Sequence, residues 1–310
     1  METELVWRRL EVRAEEGGRR LDAWLAGALG VSRGRAVRLL GEGRVKVLGR
    51  VVGDGWKGRS VEAGWAVEVG LTEDHAGLDR PIAADGGEAV LAEGTGWVVL
   101  DKPAGMPVHP LRADETGTLV NTLAARWPGA VGVGEGGLRS GVVHRLDVPT
   151  SGCVVLATEQ GAWERLRAAF SEHRVAKRYR AVVRGRMDGP VGEWERVALS
   201  LAVTRHRPAR VGVVAAVDAA GRRCRLAYRV VEVMADATVV EVDLETGFLH
   251  QVRATFAHLG HPVWGDADYG GADGRVGRLM LHAERLVLDE TEVVSPLPAD
   301  FTAGLRAFTG

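Results

Sequence analysis

A chain of 310 residues with 46% hydrophobic and 26% charged side chains has the make-up of an ordinary globular protein, long enough for two domains. Its longest apolar runs fall far short of a membrane span, the first residues show no secretory core, and Cys153 and Cys224 have neither metal-ligand nor disulfide spacing. A cytoplasmic protein without membrane, metal or disulfide dependence is expected. Net charge is −1, which argues weakly against a protein that coats nucleic acid, but the charge is gathered in blocks. Residues 31–60 hold eight Lys/Arg against two acids, 161–185 hold seven against two, and 203–225 hold six against one, whereas 71–94 carry six acids and a single Arg80. Such blocks suit phosphates, or equally form solvated faces balanced by acids elsewhere.

In chain order, Leu21, Trp24, Leu25, Ala28 and Leu29 share one face of a helix that Gly30 ends. Ser32 caps a second helix, with Arg35 and Arg38 on one side and Ala36, Val37, Leu39 and Leu40 on the other. Short strands follow at 45–48, after a turn at Gly49-Arg50, and at 66–69. Two short helices and a hairpin, with arginines on the second helix, resemble the alpha-L RNA-binding module of a small-subunit ribosomal protein. The resemblance implies that Arg33, Arg35, Arg38 and Lys46 lie on RNA backbone and position it without reading sequence. The competing reading is a small helical cap with an arginine-decorated surface.

Acidic, Gly- and Ala-rich residues 71–93 read as a linker, dividing a first domain at 1–70 from a second at 94–310. The second opens with a buried-type strand at 97–100, stopped by Lys102-Pro103, and a helix at 118–126. The glycine-rich loop at 129–137 lacks the Gly-Lys-Ser/Thr ending of a nucleotide cradle. Next come the apolar runs Val142-Val143 and Val154-Val155-Leu156, which flank a polar centre closed by Pro149 and Gly152. This predicts strand, sharp turn and strand, with Asp147 at the reversal. An Asp before Pro-Thr-Ser-Gly is more often turn-forming than catalytic, so the stretch alone leaves its use open.

A helix is predicted from Gln160, with Ala162, Leu166 and Phe170 spaced by four. A strand at 177–184 points Tyr179, Ala181 and Val183 one way and Arg178, Arg180 and Arg184 the other. Tyr179 could be core or a platform for a base. Residues 222–234 and 238–245 make a hairpin. A helix over 250–259 buries Val252, Phe256 and Leu259 and places His250 and Arg253 on one face near its start, a place suited to a carboxylate or phosphate. A late strand spans 280–288, and the last twenty residues offer little. Without regular βαβ alternation, the class is α+β.

Five segments stand in one order: 98–110, His144-Arg-Leu-Asp-Val-Pro-Thr-Ser-Gly, Lys177-Arg-Tyr-Arg-Ala, Thr246-Gly-Phe-Leu-His-Gln-Val-Arg, and Gly260-His-Pro-Val-Trp-Gly-Asp-Ala-Asp-Tyr-Gly. Together they resemble the RluA family of RNA pseudouridine synthases over residues 19–289. The resemblance implies a pseudouridine synthase fold, with a mixed, largely antiparallel sheet, flanking helices and a central RNA cleft. It makes Asp147 the catalytic aspartate, Tyr179 a stacking partner of the target uracil that takes part in proton removal, and Arg253 the ion-pair partner of Asp147. Arg145 would hold or replace the flipped nucleotide, and His144, Thr150, His250 and Gln251 would bind substrate.

That reaction breaks N1–C1′ and joins C5 to C1′ with no redox change, so no cofactor or metal is expected. The implied partner is rRNA or tRNA, met by a monomer. The base must leave its stack, which costs a few kcal/mol and calls for a replacing side chain and a stacking surface. An aspartate can form a sugar adduct, as in retaining glycosidases, or remove a sugar proton. Two departures stand out: Phe248-Leu249 replaces a polar pair usual in the family, and Val148-Pro149 stands where Lys and a polar residue are common. Two other readings compete, a non-catalytic RNA-binding or ribosome-assembly protein, and a hydrolase built on Ser151 or Cys153 with His144.

Overall fold

The computed structural model describes residues 5–29, 31, 33–71, 80–188, 190–206, 208–272 and 274–308. Gly30, Ser32 and residues 72–79 of the expected linker lie outside them. The chain divides into two compact units. The first comprises Met1–Gly87, His109–Val142 and Ala157–Trp163, and the second Glu88–Val108, Val143–Leu156 and Glu164–Gly310.

In the first unit, α1 (Leu21–Leu29) and α2 (Arg33–Gly41) follow the predicted apolar spacing. Leu21, Trp24, Leu25, Ala36, Leu39 and Leu40 are buried together, each large apolar side chain contributing about 1.5–3 kcal/mol. They pack with a sheet ordered β1 (Val6–Glu11), β4 (Ala66–Leu71), β2 (Val45–Val47), β3 (Arg50–Val52). The hairpin turn is Leu48-Gly49, one residue earlier than expected. Both residues have positive φ, 50° and 79°, as a two-residue turn between twisted strands requires. Helix α3 (Leu119–Arg126) is capped by Thr118, whose hydroxyl accepts the Asn121 N–H. The Asn121 amide in turn donates to the Ile82 carbonyl, and Arg126 pairs with Asp85, so part of the expected linker is bonded to α3.

The second unit is built on one sheet, ordered β10-β9-β11-β12-β8-β13-β7-β6-β5, with β14 beside β13. Its strands are β5 (Val90–Gly94), β6 (Trp97–Lys102), β7 (Ser151–Ala157), β8 (Ala176–Arg184), β9 (Trp194–His206), β10 (Ala209–Val213), β11 (Arg222–Val233), β12 (Ala237–Leu244), β13 (Leu281–Leu288) and β14 (Thr291–Val294). Strands β7 and β13 pair in parallel, and most other neighbours are antiparallel, giving the mixed sheet of an α+β fold. Helices α4 (Gln160–Ser171), α5 (Gln251–His258) and α6 (Ala299–Arg306) complete it. Strand β5 begins inside the stretch expected as linker.

One local expectation fails. Val142-Val143 is not a strand. The Trp163 indole donates to the Val142 carbonyl and Arg167 to that of Val143, so side chains from α4 replace ladder bonds there. Only the second apolar run, β7, lies in the sheet, and all seven of its residues are buried. Among the described residues no helix is long and apolar enough to cross a membrane.

Candidate functional site

Asp147 sits at the head of the turn that leads into β7, where the Thr150 N–H donates to the Asp147 carbonyl at 3.0 Å. The turn is anchored from beneath by Lys102, the last residue of β6, which is fully buried. Its ammonium donates to the carbonyls of Pro103 (3.0 Å), Met106 (2.7 Å) and Val148 (3.0 Å). Burial pushes the Lys102 pKa down to about 7, opposed by the charge of Asp147 and aided by that of Arg278. Three carbonyl acceptors suit the three N–H groups of the charged form. Sequence reasoning took Lys102 for a strand stop. The available signal was a lysine at the end of a strand that is apolar from Trp97 to Leu100.

The Asp147 carboxylate is one-fifth exposed and faces α5. Arg253 Nη1 lies 3.4 Å from its Oδ2, and His250 Nε2 lies 3.9 Å from its Oδ1. Arg253, however, is held chiefly by other partners. Its Nε and Nη2 form a fork on the two oxygens of buried Asp266 at 2.7 and 2.8 Å, and Nη2 also reaches Asp268 at 2.8 Å. Burial works against the Arg253 charge, but the bonds and charges of Asp266, with Asp147 and Asp268, outweigh it and raise its pKa. Arg253 is thus the expected partner of Asp147, fixed by two carboxylates that sequence reasoning did not assign, although both lay in a quoted segment. Sharing the guanidinium leaves Asp147 oriented by one long contact at 3.4 Å, not by a tight two-point fork.

His250 caps α5 in a left-handed conformation (φ 51°), a strained setting for a non-glycine residue. Its Nδ1 bonds the Tyr269 hydroxyl at 3.1 Å, and that hydroxyl accepts the Val211 N–H at 2.8 Å. Burial lowers the His250 pKa, partly countered by Asp147. Tyr179 is buried on β8, on the face shared with Ala181 and Val183 as the alternation predicts. Burial first, and then the Asp147 charge, raise its phenol well above the ordinary range. It stays protonated at neutral pH, which suits a wall or a hydrogen-bond donor better than a base.

Other expected substrate ligands are engaged with the protein. The His144 ring stacks on Phe170 (4.4 Å between centroids), and its Nε2 accepts the Val155 N–H at 3.0 Å. Burial, then the charges of Lys177 and Arg167, push its pKa down to about 3. Gln251 is consumed by the loop before α5: its oxygen accepts from the Phe248 N–H and the Thr246 hydroxyl, and its nitrogen donates to the Arg225 carbonyl. Thr150 is buried with a hydroxyl that finds no partner among the described residues, and Arg145 is exposed beside Asp147 in the chain. The hydrolase reading fails on the same geometry. Ser151 is buried and bonded to His282, not His144, and burial pushes the Cys153 thiol up to about 12.

The basic blocks are partly neutralised. On β8, Arg178 pairs with Glu241 and Arg180 with Glu284. In the first unit Arg33 is bonded to Asp22 at 2.8 Å, and Lys46 lies over the Trp7 ring, 3.8 Å from Glu68. Burial opposes the charge of Asp22, yet bonds from Arg20 and Arg33 bring its pKa down to about 2. Arg35 is half-buried, and Arg38 is exposed.

Both sequence departures have structural explanations. Phe248 and Leu249 pack on an apolar cluster of Leu201, Val211, Cys224, Ala254 and Tyr269, tying the start of α5 to β9, β10 and β11. Val148 contributes its carbonyl to Lys102 and to the Gly105 N–H, a service any residue provides, while its side chain is 46% exposed.

Solved structures show this fold in pseudouridylate synthase domains. The human RNA pseudouridylate synthase domain containing 1 aligns with a TM-score of 0.56 at 25% identity, over 70% of this chain and 87% of that one. The human RNA pseudouridylate synthase domain containing 4 aligns at 0.57 and 22%, over 71% and 93%. The chain belongs to the RNA pseudouridylate synthase family, whose model matches residues 96–258. It is 35% identical to an uncharacterized RNA pseudouridine synthase of Chloroflexus aurantiacus, over 93% of this chain and 89% of that protein. It is 32% identical to the ribosomal large subunit pseudouridine synthase D of Pseudomonas aeruginosa, over 96% and 95%. It is therefore an RNA isomerase of the RluA type that converts uridine to pseudouridine.

Proposed function

We propose that Asp147 is the catalytic aspartate, acting on a uridine flipped out of structured RNA in the cytoplasm, with ribosomal RNA the first substrate to test. The observation that carries this is the Asp147 carboxylate at 3.4 Å from Arg253, whose guanidinium is itself fixed by Asp266. The name of the Pseudomonas relative supports ribosomal RNA. Arg145, exposed next to the turn, would fill the place the base leaves, and Tyr179 would wall the pocket for the uracil. The anionic carboxylate attacks C1′ or takes a sugar proton as N1–C1′ breaks. The base turns and C5 joins C1′, expelling the aspartate oxygen on the first route or with return of the proton to the sugar on the second; the C5 proton then leaves and N1 gains one. Residues 1–70, with Arg38 foremost, would add an RNA-gripping module.

Release of tritium from RNA labelled at uracil C5 tests the assignment. Asp147→Asn is expected to lose activity by about a thousandfold or more while its melting temperature and RNA affinity stay near wild type. An Asp147→Asn protein that turns over normally would remove Asp147 from the reaction.

A further inference from the structure

A second feature of the sheet unit has no part in the chemistry above. A recess of about 410 Å³ opens where the end of β8 meets the segment after α5, lined by Arg184, Arg186, Asp236, His261, Trp264 and Arg275 among others. Among the described residues that line it are three guanidiniums and one carboxylate, an excess of positive charge. Asp236 pairs with Arg275. Arg184 donates one N–H to the Gly270 carbonyl at 3.1 Å, and Arg186 one to the Met234 carbonyl at 3.2 Å. A guanidinium has five N–H groups, and among the described residues neither of these two is paired with a carboxylate.

Two of these cations lie against the Trp264 ring, with Arg184 4.8 Å and Arg275 4.5 Å from its centre. Contact with the indole restrains both side chains. The indole N–H is buried and has no acceptor among the described residues. Two guanidiniums with N–H groups to spare and an excess of positive charge together call for an oxyanion. The recess is an open groove and does not enclose its contents, which suits a phosphate carried on a passing chain better than a small molecule that must be mostly engulfed.

The recess is rigidly joined to the site. The Trp264 N–H donates to the Val182 carbonyl, and the Met280 N–H donates to that of Trp264, both at 2.8 Å. Gly265 has φ +77°, and a Cβ there would sit 1.9 Å from the Arg278 carbonyl oxygen, so the turn admits only glycine. The next residue is Asp266, the fork partner of Arg253. The recess therefore stands at a fixed separation from the Asp147 centre.

We propose that this recess is a second RNA contact, taking a backbone phosphate of the substrate at a distance from the uridine being isomerised. The proposal rests on the RNA activity of the family and not on the role of Asp147. The test uses the full chain and a fluorescein-labelled RNA hairpin, with anisotropy read between 50 and 200 mM KCl. Arg186→Gln and Arg184→Gln are expected to weaken binding about three- to tenfold. They should also cut the slope of log K against log[KCl] by about 0.7–0.9 for the phosphate lost. Arg186→Lys, which keeps the charge, should restore most of both. Thermal melts check the fold, and because Arg186 is exposed its variants stand even if Arg184→Gln does not fold. In parallel, inorganic phosphate is titrated into the protein by calorimetry. A saturable phosphate site lost in Arg186→Gln, with the RNA slope unchanged, would make this a free-phosphate site and overturn the proposal. Unchanged slope and no phosphate binding would overturn it outright. Wild type that binds no RNA would overturn the proposal and the RNA activity together, whereas loss of turnover in Asp147→Asn bears only on Asp147.

Discussion

Lys102 is buried at the turn that carries Asp147, and its ammonium bonds join three points of backbone, Pro103, Met106 and Val148. Lys102→Met keeps the side-chain volume but removes every donor. Val148 retains the Gly105 N–H, whereas Pro103 and Met106 lose theirs. At about 1–3 kcal/mol for a buried unsatisfied group, the variant is expected to lose about 2–4 kcal/mol in urea unfolding. Its kcat should fall at least about tenfold, because the turn that aims Asp147 loses its anchor. A variant with wild-type kcat would show that the turn holds itself. The same residues explain why Val148-Pro149 is tolerated here: the anchor uses a carbonyl, and the side chain stays in solvent.

Among the elements, β7 depends on two imidazoles kept neutral. His144 accepts the Val155 N–H, and His282, on the parallel partner β13, bonds Ser151 and the Ser295 carbonyl. Burial lowers the pKa of both, that of His144 to about 3. Both folded values lie below the unfolded value of roughly 6.5. As pH falls below that value, the unfolded chain takes up protons the native state refuses, so stability declines. The contribution of Asp22, with a folded pKa of about 2, is lost only below the ordinary carboxylate range and does not enter this window. The urea midpoint is therefore expected to drop between pH 7 and pH 5. His144→Gln, whose amide oxygen can accept the Val155 N–H without titrating, should flatten that drop. An unchanged slope in the variant would assign it to other groups.

Elements with a one-sided apolar pattern were legible in advance: α1, α2, α4, β8 and the β11–β12 hairpin stand where spacing put them. Others carried little pattern to read. Strand β1 has almost no buried residue and exists through pairing with β4. Strand β9 is mostly exposed over 13 residues and is ordered by its neighbours β10 and β11. Helix α6 is eight residues long with Phe301 as its buried anchor, too little to register in the final twenty residues.

For the whole molecule, 40 basic residues against 41 acidic leave no general attraction for RNA, so grip depends on which cations stay out of ion pairs. Arg33, Arg178 and Arg180 are paired, whereas Arg38 is exposed on α2. If residues 1–70 hold RNA, Arg38→Gln should lower affinity and reduce the salt slope by about 0.7–0.9 with kcat unchanged. An unchanged slope would count against the module. The sequence by itself determined the family, the α+β class and the candidate aspartate, because those rest on local order: motifs, spacing and the residues around one turn. Only the tertiary structure decided which charges are spent on one another. It showed that Arg253 leans on Asp266, that His144 and Gln251 serve the backbone, and that Lys102 is buried beneath Asp147. Those pairings join residues far apart in the chain, and no periodicity or spacing encodes them.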